Sequence, residues 1–125
     1  MKEIKFDPNG PAISVHLEFT GLIAAVYAVN LAEKNSNRIV FKAKGNNQNS
    51  EDDKCELPGS TISNDQRVLM VSTEFYGLDP VNFKDYKIVT SVYQGNQLLD
   101  SVTEKGVITG KTQSSLIFIK LVAAT

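Results

Sequence analysis

The chain has 125 residues, enough for one domain, and its apolar fraction of 42% with a charged fraction of 22% is typical of a globular fold. Thirteen basic against fourteen acidic residues give a net charge of −1, and this balance argues against nucleic acid and against anionic lipid as partners. The longest apolar run, residues 22–29, is far shorter than the roughly 20 residues of a membrane-spanning helix, so we expect no membrane span.

Cysteine content and the first residues bear on location. Cys55 is the only cysteine, so an internal disulfide is excluded. No apolar leader follows the start MKEIKFDPNG. The sequence therefore predicts a cytoplasmic location by default, and a secreted one if a leader has been removed.

The first strands are predicted from apolar residues at every second position. Ile4 and Phe6 share one face of EIKF, and the turn residues DPNG follow. In AISVHLEFT one face is apolar and the other polar; the apolar face consists of Ile13, Val15, Leu17 and Phe19. This alternation predicts a half-buried strand.

The segment GLIAAVYAVNLAEK allows two interpretations. Leu22, Val26 and Val29 have helical spacing, and Thr20 is available as a helix N-cap. A strand instead places five side chains on one face: Ile23, Ala25, Tyr27, Val29 and Leu31. We favour the strand, because a short polar turn leads from it into the alternating run RIVFKAK.

Four more runs rich in β-branched and aromatic residues follow, namely RVLMVSTEF, YKIVTSVYQ, QLLDSVT and SLIFIKLV. Gly95 and Asn96 between two of them indicate a hairpin with a type II′ turn. The sequence thus predicts an all-β fold over residues 1–125, a single antiparallel β-sandwich of seven to nine strands. Its general architecture is similar to that of immunoglobulin-like sandwiches, although the Cys…Trp…Cys signature of true immunoglobulin domains is absent.

Residues 45–56 combine asparagines, acids and the cysteine. Glu51, Asp52 and Asp53 are candidate calcium ligands, but their spacing does not follow the EF-hand pattern. We therefore predict an exposed, mobile connection with no resident cofactor or metal, in which Leu57 is the first residue to dock. Cys55 lies among acids, which suppress the thiolate, so we expect an inert thiol.

The sequence gives no constellation that predicts catalysis. His16, the single histidine, stands on the polar face of its strand, where we expect a solvent-facing or interface residue. A serine triad needs a histidine placed beside the nucleophile, and no G-x-S-x-G or phosphate-binding glycine pattern occurs. We expect a protein that is not an enzyme.

Two strands carry apolar residues on both faces. In RVLMVSTEF, Val68 and Met70 lie opposite the main apolar row, and in SLIFIKLV a second row contains Ile117, Ile119 and Leu121. A two-layer sandwich buries one face of each sheet, which leaves two alternatives for these five residues. Loops cover them, or residues 22–31 do if these are helical, or they form an interface with a protein partner or a second copy.

These observations favour a non-catalytic protein-interaction or structural module. One alternative is a carrier that holds a small apolar ligand inside a β-barrel. Another is a calcium-stabilised adhesion or carbohydrate-binding module. For the latter, the aromatic residues of the second half are the candidates: Tyr76, Phe83, Tyr86 and Tyr93.

Overall fold

The computed structural model describes residues 1–48 and 53–125. They form nine strands, with bounds β1 Lys2–Phe6, β2 Ile13–Thr20, β3 Ile23–Ala32, β4 Ile39–Asn46, β5 Lys54–Glu56, β6 Val68–Gly77, β7 Asp85–Gln94, β8 Gln97–Val107 and β9 Gln113–Ala123. A single 3-10 turn, Thr61–Asn64, stands between β5 and β6. The predicted all-β fold is confirmed, at the upper end of the expected strand number.

The strands form two sheets that pack face to face. The five-stranded sheet has the order β1-β9-β6-β3-β4, and the four-stranded sheet has the order β5-β2-β7-β8. Neighbours are antiparallel except for β1, which runs parallel to β9. The predicted β-sandwich is therefore confirmed, while the nearer likeness to immunoglobulin-like sandwiches stays a prediction.

The segment that allowed two interpretations is a strand. β3 lies inside the five-stranded sheet, paired with β4 on one side and β6 on the other. Ile23, Val29 and Leu31 point into the core, as the strand interpretation predicted. A helix there would have left β4 and β6 without their shared neighbour, so pairing decides between the two periodicities.

The space between the sheets is filled by two groups of apolar side chains. The larger is built around fully buried residues of both sheets, among them Val15, Leu31, Leu69 and Ile119. The smaller lies nearer one end of the sandwich and consists of Ile23, Ala25, Phe75, Ile88 and Ile108. Burying each large side chain contributes roughly 1.5–3 kcal/mol, so the inward rows hold the two sheets together.

The two predicted turns form as expected. The amide of Gly10 donates to the carbonyl of Asp7 at 3.1 Å, which closes the turn of DPNG. Gly95 has φ of +60°, the conformation that a type II′ turn needs at its first central position.

Residues 45–56 were predicted to form an exposed, mobile connection. Residues 49–52 lie outside the described part of the chain, and the residues on either side of them are ordered by the sheets. Gly45 and Asn46 end β4, and the side chain of Asn47 bonds to the backbone of β3 through Ala25 N (2.8 Å) and Ile23 O (2.9 Å). Lys54–Glu56 pairs with β2 as an edge strand, so the chain docks before Leu57. Three residues without alternating apolar side chains give no strand signal in the sequence. Pairing with β2 is what makes this segment a strand.

Polar side chains fasten one end of the sandwich, which we name the basal end. The buried amide of Gln94 donates to the carbonyls of Asp7 (2.6 Å) and Pro11 (3.0 Å) and accepts from the amide of Asp7 (3.0 Å). The guanidinium of Arg67 donates to both carboxylate oxygens of Glu33, each at 3.1 Å. The start of the chain and the start of β6 are thus tied to the ends of β7 and β3.

No helix in the described residues is long and apolar enough to cross a membrane.

Candidate binding surface

The outer face of the five-stranded sheet carries a large hollow. Because strand residues alternate, the inward rows of β3 and β6 leave Val26, Ala28, Ser72 and Glu74 pointing away from the core. Pairing places Ala28 opposite Ser72, and Ser72 opposite Leu116 of β9. Small side chains in the middle of a sheet, between larger ones, leave a depression.

This depression has a volume of about 750 Å³. Ala28 and Ser72 form its floor, Val26 and Leu116 stand beside it, and Lys44 closes the side formed by β4. A second hollow of about 470 Å³ continues the depression along the strands, past Ala24 and Tyr76. The two hollows share three lining residues, Val26, Asn46 and Glu74, so we treat them as one feature and name it the outer groove.

Apolar side chains border the outer groove and remain accessible to water. Val26 is 56% exposed and Leu116 is 59% exposed, and Phe118 and Tyr76 are also exposed. Met70 lies opposite Phe118 in the register of β6 and β9. Exposed apolar side chains gathered around one hollow are typical of sites of interaction.

Two residues of opposite charge line the groove. Lys44 stands on the edge strand β4, and Glu74 stands on β6. Neither has an ion-pair partner within 4.0 Å among residues 1–48 and 53–125. A bound chain could therefore pair with both groups while its apolar side chains cover the floor.

The predicted interface residues divide between the two faces of the sheet. Val68 and Met70 are half-buried on the outward row of β6. Ile119 and Leu121 are fully buried in the core, and Ile117 packs against it, so their choice as surface residues was wrong. The exposed row of β9 is the other one, with Leu116 and Phe118. Each row of SLIFIKLV has three apolar residues, but Lys120 falls in the row of Leu116 and Phe118, and the register with β6 places that row outward.

Tyr27 lies under the groove and joins it to the β4–β5 connection. Its hydroxyl donates to the carboxylate of Asp53 at 3.1 Å. Burial first, and then the negative charge of Asp53, raise the pKa of Tyr27 to about 12, so the phenol keeps its proton. Asp53 is thus engaged as a hydrogen-bond acceptor for the side chain that supports the sheet.

One of the three candidate calcium ligands lies within the described residues. Glu51 and Asp52 lie outside the described residues, and of the three candidates only Asp53 can be placed. Within residues 1–48 and 53–125 no three acidic, histidine or cysteine side chains are grouped so as to hold a metal ion. Calcium binding stays a prediction.

Cys55 and His16 lie on opposite faces of the four-stranded sheet. Cys55 is paired with Val15 and packs against the core, and burial raises the pKa of its thiol. His16 points outward, with its Nε2 3.0 Å from the hydroxyl of Ser14 and its ring 4.3 Å from that of Tyr93. The sheet separates the thiol from the imidazole, so the two do not form a nucleophile–base pair.

Comparison with known proteins gives a likeness of fold. No protein-family model matches the chain, and no curated protein matches it. A crystal structure of a DUF4425 family protein from Bacteroides ovatus ATCC 8483 is similar, with a TM-score of 0.55 and 12% sequence identity. The match covers 90% of this chain and 96% of that one. At this identity the likeness shows a shared β-sandwich and carries no function.

Proposed function

We propose that the protein is a non-catalytic interaction module that binds an extended segment of a protein partner along the outer groove. The observation that supports this proposal is the exposed apolar border, Val26 and Leu116, beside a floor of Ala28 and Ser72. A groove of this size has the volume of ordinary binding sites, roughly 300–1,000 Å³. Its length along the strands suits an extended chain better than a compact ligand.

The chemistry of the lining supports binding over catalysis. Hydroxyl groups are present at Ser72 and Ser114, yet no histidine or cysteine lines either hollow. A serine hydroxyl becomes nucleophilic only with a base beside it. Lys44 and Glu74 are suited to fixing the direction of a bound chain through opposite charges.

The interior of the sandwich favours the interaction module over a carrier of apolar ligands. A carrier needs a continuous cavity, whereas the hollow lined by Thr73, Thr90, Glu104 and Ser115 has a volume of about 10 Å³. That is the space of about one water molecule. The groove on the outside therefore offers far more room than the space between the sheets.

A selection from a displayed random-peptide library tests the proposal. Ser72→Arg fills the floor of the groove, and Thr103→Arg places the same side chain on an exposed position of the other sheet, in β8. We expect peptides selected on the wild type to bind the Ser72→Arg variant at least about tenfold more weakly, a loss of about 1.4 kcal/mol. Binding to Thr103→Arg should not change.

Two results would count against the groove. One is a selection that yields no peptide above background, and the other is equal weakening by both substitutions. Urea unfolding of each variant shows whether a loss of binding comes from the site or from loss of the fold. Sedimentation at several concentrations shows whether the bound segment belongs to a second copy of the chain.

A further inference from the structure

A second surface lies at the end of the sandwich opposite the basal end. It comprises the β2–β3 turn at residues 20–22, the β6–β7 connection with the start of β7 at residues 78–87, and residues 105–111 at the end of β8. Backbone hydrogen bonds join these segments: Leu78 N donates to Leu22 O at 3.0 Å, and Ile108 N donates to Lys84 O at 2.6 Å. We name this end the apolar tip.

Large apolar side chains of the tip are left in water. Val81 is 77% exposed, Val107 is 63% exposed and Phe83 is 54% exposed. Leu22 and Leu78 are exposed beside them. Five such side chains at one end exceed the scattered exposure that a protein surface normally shows.

These side chains have no place in the core beneath them. Ile108 is buried together with Ile23, Phe75 and Ile88, and this group fills the space under the tip. Gly77, at the end of β6, has no room for a side chain because Ile108 packs against it. The apolar residues of the tip therefore stay outside a layer that is already full.

The β6–β7 connection is held in shape without using its apolar side chains. The amide of Phe83 donates to the carbonyl of Asp79 at 2.9 Å, and the side chain of Asn82 donates to the carboxylate of Asp79 at 3.1 Å. The backbone and the polar residues order the loop, while Val81 and Phe83 project from it. A preformed apolar projection loses little conformational entropy when it is buried by a partner.

Basic residues outnumber acidic ones at the tip. The segments that define the tip contain four lysines, namely Lys84, Lys87, Lys105 and Lys111, and two aspartates, Asp79 and Asp85. That is an excess of two positive charges in a chain whose net charge is −1. All four lysines are exposed, and none forms an ion pair within the described part of the chain. The overall charge balance hides this local excess.

Two of these lysines lie in an arrangement that is unfavourable by itself. Lys87 of β7 is directly opposite Lys105 of β8, and Glu18, on β2, is one step further from the tip, opposite Val89. Like charges at directly opposite positions repel each other and destabilise a sheet. An anion placed over the pair would relieve that repulsion.

From these observations we infer that the apolar tip docks onto an anionic lipid surface. Val81, Phe83 and Val107 enter the boundary between headgroups and acyl chains, and the lysines contact the negative headgroups. Apolar side chains with adjacent basic residues are the combination that holds proteins at such surfaces. The tip projects outward, which suits a surface that yields to it, whereas the outer groove is concave and suits a chain.

Co-sedimentation with vesicles tests the inference. We expect the wild type to bind vesicles of phosphatidylcholine mixed with phosphatidylserine, and to bind vesicles of phosphatidylcholine alone at least about tenfold more weakly. The double variant Val81→Asp/Phe83→Asp should lose binding to both. Lys87→Gln/Lys105→Gln should weaken binding to the anionic vesicles only, and added salt should have the same effect.

Leu116→Asp is the matched control, since it places the same charge at an exposed apolar residue of the outer groove and should leave vesicle binding unchanged. The inference is overturned if the wild type does not bind anionic vesicles, or if Leu116→Asp weakens binding as much as the tip variant does. It is also overturned if the tip variant changes the oligomeric state of the protein and leaves vesicle binding unchanged, because the tip would then contact another copy of the chain. Circular dichroism of each variant tests whether the fold is retained.

Discussion

The basal end and the apolar tip close the same sandwich by different means. At the basal end, buried or half-buried polar side chains such as Gln94 and Arg67 bond to backbone and side chains of other strands. At the tip, backbone hydrogen bonds and a glycine, Gly21, make the connections, while the apolar side chains remain exposed. Polar side chains thus tie separate strands together at the basal end, whereas backbone hydrogen bonds join the segments of the tip.

This difference separates residues that hold the fold from residues that are free for another role. A buried amide with three hydrogen bonds cannot be changed without losing bonds that join separate parts of the chain. An exposed phenyl ring on a loop that its backbone already orders can be changed at little cost. Substitutions at the two ends should therefore differ in their effect on stability.

The largest effect should come from the basal end. Gln94→Ala leaves the amide of Asp7 without its partner and removes one of the two hydrogen bonds that the carbonyls of Asp7 and Pro11 each accept. We expect the free energy of unfolding to fall by about 3 kcal/mol, since three hydrogen bonds of a buried side chain are lost and each contributes about 1 kcal/mol. Urea unfolding measures it. Gln97→Ala, at the exposed position opposite Gln94 in the hairpin, is the control and should cost less than about 0.5 kcal/mol.

A smaller loss is expected when the backbone of the tip is changed. Gly21 has φ of +112°, and a Cβ at that position would lie 2.5 Å from the carbonyl oxygen of Asp85. Gly21→Ala should therefore lower stability by about 2 kcal/mol, within the range of strain stored at such positions. An unchanged urea midpoint would show that side chains and not the backbone hold the tip, and the contrast between the two ends would fail.

The ion pair of the basal end should appear as a dependence of stability on pH. The hydrogen bond from Arg67 is the main cause that lowers the pKa of Glu33 from 4.5 to about 2. A carboxyl group whose pKa is lower in the folded state than in the unfolded state stabilises the fold when it is ionised. The stabilisation from Glu33 is therefore complete above pH 4.5 and is lost as the pH falls towards 2. In Glu33→Gln the melting temperature should depend less on pH between 4.5 and 2 than in the wild type. Arg67→Gln should weaken this pH dependence in the same way. If Glu33→Gln keeps the acid dependence of the wild type, other carboxylates are responsible for it.

The smallest effect on stability should come from the apolar side chains of the tip. Phe83 is exposed and is absent from both groups of buried apolar residues. Phe83→Ser should change the free energy of unfolding by less than about 0.5 kcal/mol, as for ordinary surface substitutions. A loss above about 1 kcal/mol would mean that Phe83 packs in solution and is not available to a partner.

Much of the fold could be predicted from local patterns. The alternation in β2 and in β6 gave both the strand and its buried face, and the two-residue turn at Gly95 gave the hairpin. Strand pairing could not be read from these patterns, and it decided the remaining cases. β5 exists because β2 offers it an edge, and the exposed row of β9 is set by its register against β6.

The candidate surfaces were harder to predict for a related reason. The outer groove depends on Ala28 and Ser72 being adjacent although they are far apart in the chain. The tip assembles three connections that are distant in sequence, and its lysines are diluted by acids elsewhere in a nearly neutral chain. Composition alone therefore argued against an anionic partner. Only the positions of the charged residues in the fold show the excess of positive charge at the tip.

The parallel pairing of β1 with β9 has a mechanical consequence. Five residue pairs, from Lys2 with Ile119 to Phe6 with Ala123, join the two strands that stand nearest the ends of the described chain. A pull applied at Lys2 and Ala123 in opposite directions slides these strands past each other and loads all five pairs together, whereas a hairpin pulled from its open end parts one pair at a time. We expect this edge to resist stretching far better than its length suggests, and single-molecule force measurements on the wild type and on a variant with Ile4→Pro, which removes an amide from the middle of β1, would show whether it does.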